Sequence, residues 1–204
     1  QIEKIRADLK KLSTMTRAIR LYSSTGGVEL VPPIAAEFGL KVTVGAWIDK
    51  NTDRNEREID AAITLAKRNS NVNGIVVGNE TIYRGEQKID DLIELIKQVK
   101  KSVNVPVTTG EIWNIWRDNP ELASSVDFIA AHVLPYWENF TSKQAVDQAV
   151  AMFQLLRDQF PGNRIPQQRW SAVGANILKA YPEPNTGTAG AAFNNFIASP
   201  NLSE

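Results

Sequence analysis

The sequence predicts an α/β chain of the (β/α)8 barrel type, and three observations predict it. Apolar stretches with the two-residue period of strands alternate with amphipathic stretches of helical period. Each strand-plus-helix repeat takes roughly the 30 residues of one βαβ unit. Nearly every strand runs out into polar or aromatic residues: Tyr22, Trp47 with Asp49, Asn79-Glu80, Glu111, and Tyr136-Trp137. Such residues at many strand ends suit the shared mouth of a barrel, whereas a doubly wound sheet gathers them at one switch point. A full barrel takes about 250 residues. The 204 here start on a helix and stop before an eighth strand, so the barrel is expected to be incomplete. One domain over 1–204 is expected, with 166–204 of atypical sequence.

The elements follow in order. Ile2 to Leu12 reads as a helix with Ile5, Leu9 and Leu12 on one face and charges opposite. Arg17-Ala-Ile-Arg-Leu-Tyr-Ser23 is a strand, and Ser24-Thr-Gly-Gly27 is a cap and turn signal. Val28 to Phe38 is a helix whose first turns are weakened by Pro32-Pro33, and Gly39 stops it. Lys41 to Ile48 is a strand, Glu56 to Arg68 a helix, Gly74 to Glu80 a strand and Lys88 to Val99 a helix. Val105 to Glu111 is a strand, Pro120 to Ser125 a short helix, Asp127 to Val133 a strand and Lys143 to Phe160 a helix. A further strand is expected after Pro161-Gly162, and a weak helix from Ala191 to Ala198.

Composition narrows the function. Basic and acidic side chains balance at 23 each, so nucleic acid and anionic membrane surfaces are not expected partners. No run approaches the ~18 apolar residues of a membrane helix, and the start reads as a charged helix, not a signal peptide. The chain has no cysteine and a single histidine, His132. A disulfide framework, a thiolate metal site, a His-rich metal site and any relay needing two histidines are excluded. No metal and no cofactor are implied, and a monomer is expected. No Gly-rich dinucleotide or phosphate loop follows a strand.

The densest chemical signal is Gly74-Ile-Val-Val-Gly-Asn-Glu80, a buried strand that delivers an amide and a carboxylate at its end. A sugar-cleaving enzyme uses such a glutamate as proton donor, provided burial or a second carboxylate keeps it protonated. The plainer alternative is an exposed glutamate paired with Arg84. Glu111 repeats the arrangement one strand later, with binding of a sugar hydroxyl ahead of catalysis, or a salt bridge as the alternative. Trp113, Trp116, Tyr136 and Trp137 could stack on sugar faces, although Trp116 reads better as core. Tyr22 ends its strand near the mouth. His132, inside an apolar strand, reads better as a hydrogen-bonded core histidine. The Asn-x-Ser/Thr sequons at Asn79, Asn139 and Asn201 are taken as chance, since a glycan on Asn79 would plug the cleft.

Four segments in combination carry a family likeness: Arg20-Leu-Tyr-Ser23, Val76-Val-Gly-Asn-Glu-Thr-Ile-Tyr-Arg84, Val107-Thr-Thr-Gly-Glu-Ile-Trp113 and His132-Val-Leu-Pro-Tyr-Trp137. Over about residues 1–165 the chain resembles bacterial members of glycoside hydrolase family 17. These are (β/α)8 barrels that cleave or transfer β-1,3-glucan with retention of configuration. The resemblance implies that Glu80 is the acid/base at the end of barrel strand four and that Asn79 contacts the sugar hydroxyl beside the broken bond. Tyr22, Glu111, Tyr136 and Trp137 would line the subsites. The first helix would be barrel helix one, leaving strand one missing and strands seven and eight doubtful. The implied partner is a β-glucan oligosaccharide or polysaccharide, and the implied location is periplasmic or extracellular.

The sequence departs from the family at strand seven, where the nucleophile belongs in a Glu-x-Gly-Trp-Pro-Ser pattern. The corresponding stretch is Arg164-Ile-Pro-Gln-Gln-Arg-Trp-Ser-Ala172. Aligning Trp170 places Gln167 at the glutamate, and aligning the strand start places Arg169 there. Neither can attack an anomeric carbon, and Pro166 is out of place in a central strand. A degenerate glucan-binding barrel, a shortened or altered form of an active parent and an erroneous tail are the alternatives. The abrupt change of composition favours the last two.

Overall fold

The computed structural model describes residues 2–157, except for the side chains of Tyr136 and Ser142. They belong to one compact unit. Helix α1 (Ile2–Leu12) leads into strand β1 (Ala18–Arg20), a 3-10 turn (Val28–Leu30), α2 (Val31–Ala36), β2 (Lys41–Ala46) and α3 (Thr52–Arg68). Then come β3 (Val72–Asn79), α4 (Ile89–Ser102), β4 (Val107–Ile112), α5 (Trp113–Asp118), α6 (Pro120–Ser125) and β5 (Ala130–His132). A 3-10 turn (Pro135–Glu138) and α7 (Ser142–Arg157) complete the described part.

The five strands form one parallel sheet in strict chain order, β1-β2-β3-β4-β5. A doubly wound sheet reverses direction at a switch point. No reversal occurs among these strands, so the described sheet has the order of a barrel's arc. The further strand expected after Pro161-Gly162, the helix Ala191–Ala198 and the Arg164–Ala172 stretch lie outside the described residues.

Burial explains the elements. In β3 every residue from Gly74 to Gly78 is buried, as a parallel strand covered on both faces requires. Val42, Val44, Ile75, Val77 and Val107 are fully enclosed from the sheet side. Ile59 and Ala62 of α3, and Leu92, Ile96 and Val99 of α4, meet them at helical spacing. Each such large side chain contributes about 1.5–3 kcal/mol on leaving water. Asn51 caps α3 by accepting the Arg54 N–H at 2.9 Å. Among the described residues no helix is long and apolar enough to cross a membrane.

Several elements differ from the sequence reading, among them β5, three residues long instead of seven. The helix expected over 28–38 splits, because Pro32 and Pro33 fit the first turn of a new helix better than the interior of an old one. β1 holds only three residues instead of seven. The Ser23–Thr25 stretch beyond it is committed to side-chain hydrogen bonds described below. α5 follows β4 directly, with no capping side chain to announce it.

Candidate active site

Parallel register sets the site. Asn79 pairs with Gly110, Gly110 with Ala130, and Ile112 with His132, so β3, β4 and β5 bring these residues to one level near their carboxyl ends. The register of β3 against β4 shifts between Val76 and Asn79. There the chain enters the left-handed region twice, at Gly78 (φ 83°) and at Glu80 (φ 53°). A glycine takes that conformation freely, whereas a glutamate in it costs of order 1–3 kcal/mol and persists only when its surroundings hold it. The holders are visible. The Glu80 N–H donates to the Gly110 carbonyl at 2.6 Å, and the Glu80 carbonyl accepts from the Arg84 N–H at 2.8 Å.

The Glu80 carboxyl is 25% exposed, and its Oε1 lies 2.6 Å from His132 Nδ1. His132 is hydrogen-bonded as expected from the sequence, but its side chain is part-exposed at 18% and not closed in the core. Its ring turns to the site and touches the glutamate. Arg20, at the end of β1, spans the sheet to complete the cluster. Its Nη2 donates to Asn79 Oδ1 at 2.9 Å, its Nη1 faces His132 Nε2 at 3.4 Å, and its guanidinium lies over the Tyr22 ring at 4.6 Å. Gly110 makes room for it, since a Cβ there would stand 2.8 Å from Arg20 Nη2. Burial pulls the Arg20 pKa below its ordinary value, against the charges of Tyr22 and Glu80.

Arg84 is not the partner of Glu80. Its guanidinium stacks on Trp47 at 4.5 Å, faces Glu86, and donates to the carbonyls of Asn79 (3.1 Å) and Ile48 (3.0 Å). It ties the loop after β2 to the loop after β3.

Glu111, expected to bind a sugar hydroxyl, is fully enclosed. It accepts the N–H groups of Ile82 at 2.8 Å and Tyr83 at 3.4 Å, and so holds the loop that follows Glu80. Burial pushes its pKa up to about 7; the amides of Ile82, Tyr83 and Thr81 oppose that rise and the charge of Glu80 adds to it.

The remaining aromatic residues divide. Tyr22 and Trp137 are well exposed, at 55% and 76%, and Trp116 is core. Trp113 is half-buried, donates to Glu138 at 2.6 Å and carries Arg117 over its ring. The backbone of Tyr136 lies in the 3-10 turn after β5, and its side chain lies outside what the structure describes. Gln167 and Arg169 lie outside the described residues.

The cluster thus combines an amide, a partly exposed carboxyl and an aromatic ring at the carboxyl ends of parallel strands, arranged around a guanidinium and an imidazole. Residues 1–198 match the family model of the BtgE/BtgC glycoside hydrolase domain. The chain belongs to that family. Among its relatives is the glucan endo-1,3-beta-glucosidase btgC of Emericella nidulans, 25% identical over 83% of this chain and 29% of that protein. Another, named "Probable glucan endo-1,3-beta-glucosidase btgC", is from Aspergillus fumigatus. It is 31% identical over 71% of this chain and 22% of its own length. The chain therefore spans less than a third of these curated relatives. Both are fungal and give no support to the bacterial origin expected from the sequence.

Proposed function

We propose that this chain is the barrel domain of a retaining β-1,3-glucan hydrolase or transglycosylase of the family 17 type, with Glu80 as its general acid/base. The observation that carries the reading is Glu80 itself. A non-glycine residue is held at φ 53° where β3 ends, and its carboxyl is part-exposed against His132. Strain of that kind, in a residue able to transfer a proton, points to a working position. The names of the relatives supply the β-1,3-glucan, and the strictly sequential parallel strands support a barrel of eight.

In this reading Glu80 protonates the leaving glycosidic oxygen, then takes a proton from water or an acceptor sugar hydroxyl in the second step. Asn79, its carbonyl end held by Arg20, offers its amide N–H groups to the neighbouring hydroxyl. Tyr22, Tyr136 and Trp137 provide apolar faces for sugar rings. Retention also requires a carboxylate about 5–5.5 Å from the acid/base. Glu111 does not serve, because both its oxygens are committed to the loop amides. By the family likeness that partner belongs at Gln167 or Arg169, which lie outside the described residues and are not carboxylates.

The missing nucleophile favours a second reading, a glucan-binding barrel that has lost turnover. Hydrolysis of a β-1,3-glucan oligosaccharide, with binding followed by calorimetry, separates the two. For the enzyme, Glu80→Gln lowers turnover by about 10²–10⁴-fold with binding kept. Binding without turnover, unchanged in Glu80→Gln, selects the binding barrel. Neither binding nor turnover overturns both.

A further inference from the structure

The contacts of His132 decide where its proton sits. A guanidinium offers only N–H donors and no acceptor. Arg20 Nη1 faces His132 Nε2 at 3.4 Å, so Nε2 must meet it with a lone pair. A proton on that nitrogen would point at a cation. The neutral ring therefore carries its one hydrogen on Nδ1, which lies 2.6 Å from Glu80 Oε1. Arg20 has little freedom to leave. Asn79 Oδ1 accepts from its other terminal nitrogen at 2.9 Å, and Tyr22 lies under its plane. Gly110 packs so closely that an added Cβ would crowd both Arg20 Nη2, at 2.8 Å, and His132 Nε2, at 3.2 Å.

We infer that Arg20 and His132 are positioning residues that choose the working oxygen of Glu80. Arg20 locks the Nδ1–H tautomer of His132, that N–H occupies Oε1, and Oε2 gives and takes the proton. The choice of oxygen rests on Glu80 as acid/base, whereas the tautomer does not. The proton count closes without a relay. As the acid step proceeds, the Oε2–H bond breaks while an H–O bond forms to the leaving glycosidic oxygen. The new carboxylate keeps the Nδ1–H hydrogen bond at Oε1. In the second step a water or sugar O–H returns its proton to Oε2, and the imidazole stays neutral throughout.

His132 is the chain's sole histidine, so its ring nitrogens are unambiguous in a long-range 1H–15N correlation spectrum. The full chain, without ligand and at mildly alkaline pH, is expected to show a pyrrole-type Nδ1 and a pyridine-type Nε2. The Glu80 carboxylate also accepts from Nδ1, so Arg20 is tested in its absence. Glu80→Ala is expected to keep the Nδ1–H form through Arg20 alone. Arg20→Leu added to Glu80→Ala, checked for folding by its unfolding transition, is expected to move the proton toward Nε2, the form free histidine prefers, whereas Arg20→Lys in the same background retains Nδ1–H. A proton on Nε2 in the unaltered chain or in Glu80→Ala overturns the inference, as does a folded double variant with the spectrum of Glu80→Ala. If the double variant does not fold, the spectra of the unaltered chain and of Glu80→Ala decide. A chain with the Nδ1–H form and no glucan turnover or binding sinks the proposed function and leaves the tautomer lock standing.

Discussion

Glu58 and Glu111 are both buried carboxylates near strand ends, 2% and 0% exposed, and both hold backbone amides of the loops at the mouth. Their charge states nevertheless diverge. Glu58, on α3, accepts the Ser24 N–H at 2.9 Å, the Trp47 N–H at 3.0 Å, the Ser23 hydroxyl at 2.7 Å and the Thr25 hydroxyl in a still shorter contact. Burial pushes its pKa up, but these donors outweigh burial and leave it below the ordinary value. Glu111 has loop amides but no hydroxyl donors among its contacts, and Glu80 adds like charge. Burial wins there, and its pKa rises to about 7. Enclosure from solvent alone therefore does not set the charge of a carboxylate; the donors that face it and the sign of its neighbour count as well. The loops after β1 and β2 are pinned by a lasting anion. The loop after Glu80 is pinned by a group that titrates near neutrality.

The largest test of this contrast is Glu58→Ala. It takes the acceptor from two amides and the Thr25 hydroxyl, and leaves the Ser23 hydroxyl only the Thr25 carbonyl at 3.4 Å; each buried orphan costs about 1–3 kcal/mol before any rearrangement. A loss of about 3 kcal/mol or more is expected from urea unfolding, with looser presentation of Tyr22 and Trp47. A change below about 1 kcal/mol would show that Glu58 does not hold these loops.

Next in size is the pH dependence, which has opposite sign at the two glutamates. Glu111 has an ordinary value of 4.5 and a folded value of about 7. Between them the folded chain binds a proton that the unfolded chain has released, so stability falls as pH rises through this window. Its full extent is about 3 kcal/mol, absent below the lower value and complete above the upper one. Glu58 is lowered, so its contribution is present above 4.5 and lost as pH falls through its folded value. Glu111→Gln is expected to flatten the slope of unfolding free energy between pH 5 and 8, while Glu58→Gln leaves that slope intact. Equal slopes in the unaltered chain and Glu111→Gln would falsify the assignment.

How much of this was legible in the sequence follows from the same residues. The alternation of strand and helix, and the place of Glu80 after Gly78-Asn79, are local patterns, and the structure keeps them. Enclosure of Glu111 was not legible, because a glutamate at a strand end reads alike whether a loop covers it or solvent does. His132 was read as hydrogen-bonded but wrongly as core, for a tertiary reason. Its approach to Glu80 depends on the register of β3, β4 and β5, and on the left-handed turn at Glu80. Arg20 stood in a quoted motif without a role, since nothing local says that its guanidinium crosses to Asn79. Glu58 gave no signal, lying among many charged residues in the helix sequence with nothing local to mark it as buried. α5 was missed because no cap or turn residue separates it from β4.

The smallest effect is also the sharpest, because it asks one donor to account for part of the contrast. Ser23→Ala removes a single hydroxyl from Glu58 and leaves Thr25, Ser24 and Trp47 in place. A hydrogen bond to a charged group contributes about 1.5–3 kcal/mol, and the remaining donors share its load, so a net loss of about 1 kcal/mol is expected. The Glu58 pKa should move upward, toward the behaviour of Glu111, because burial then meets one donor fewer. Carboxyl carbon shifts followed by NMR through an acid titration read that movement directly. An unmoved Glu58 with the stability loss intact would mean that Ser23 contributes packing alone, and that the two amides and the Thr25 hydroxyl suffice to keep the anion.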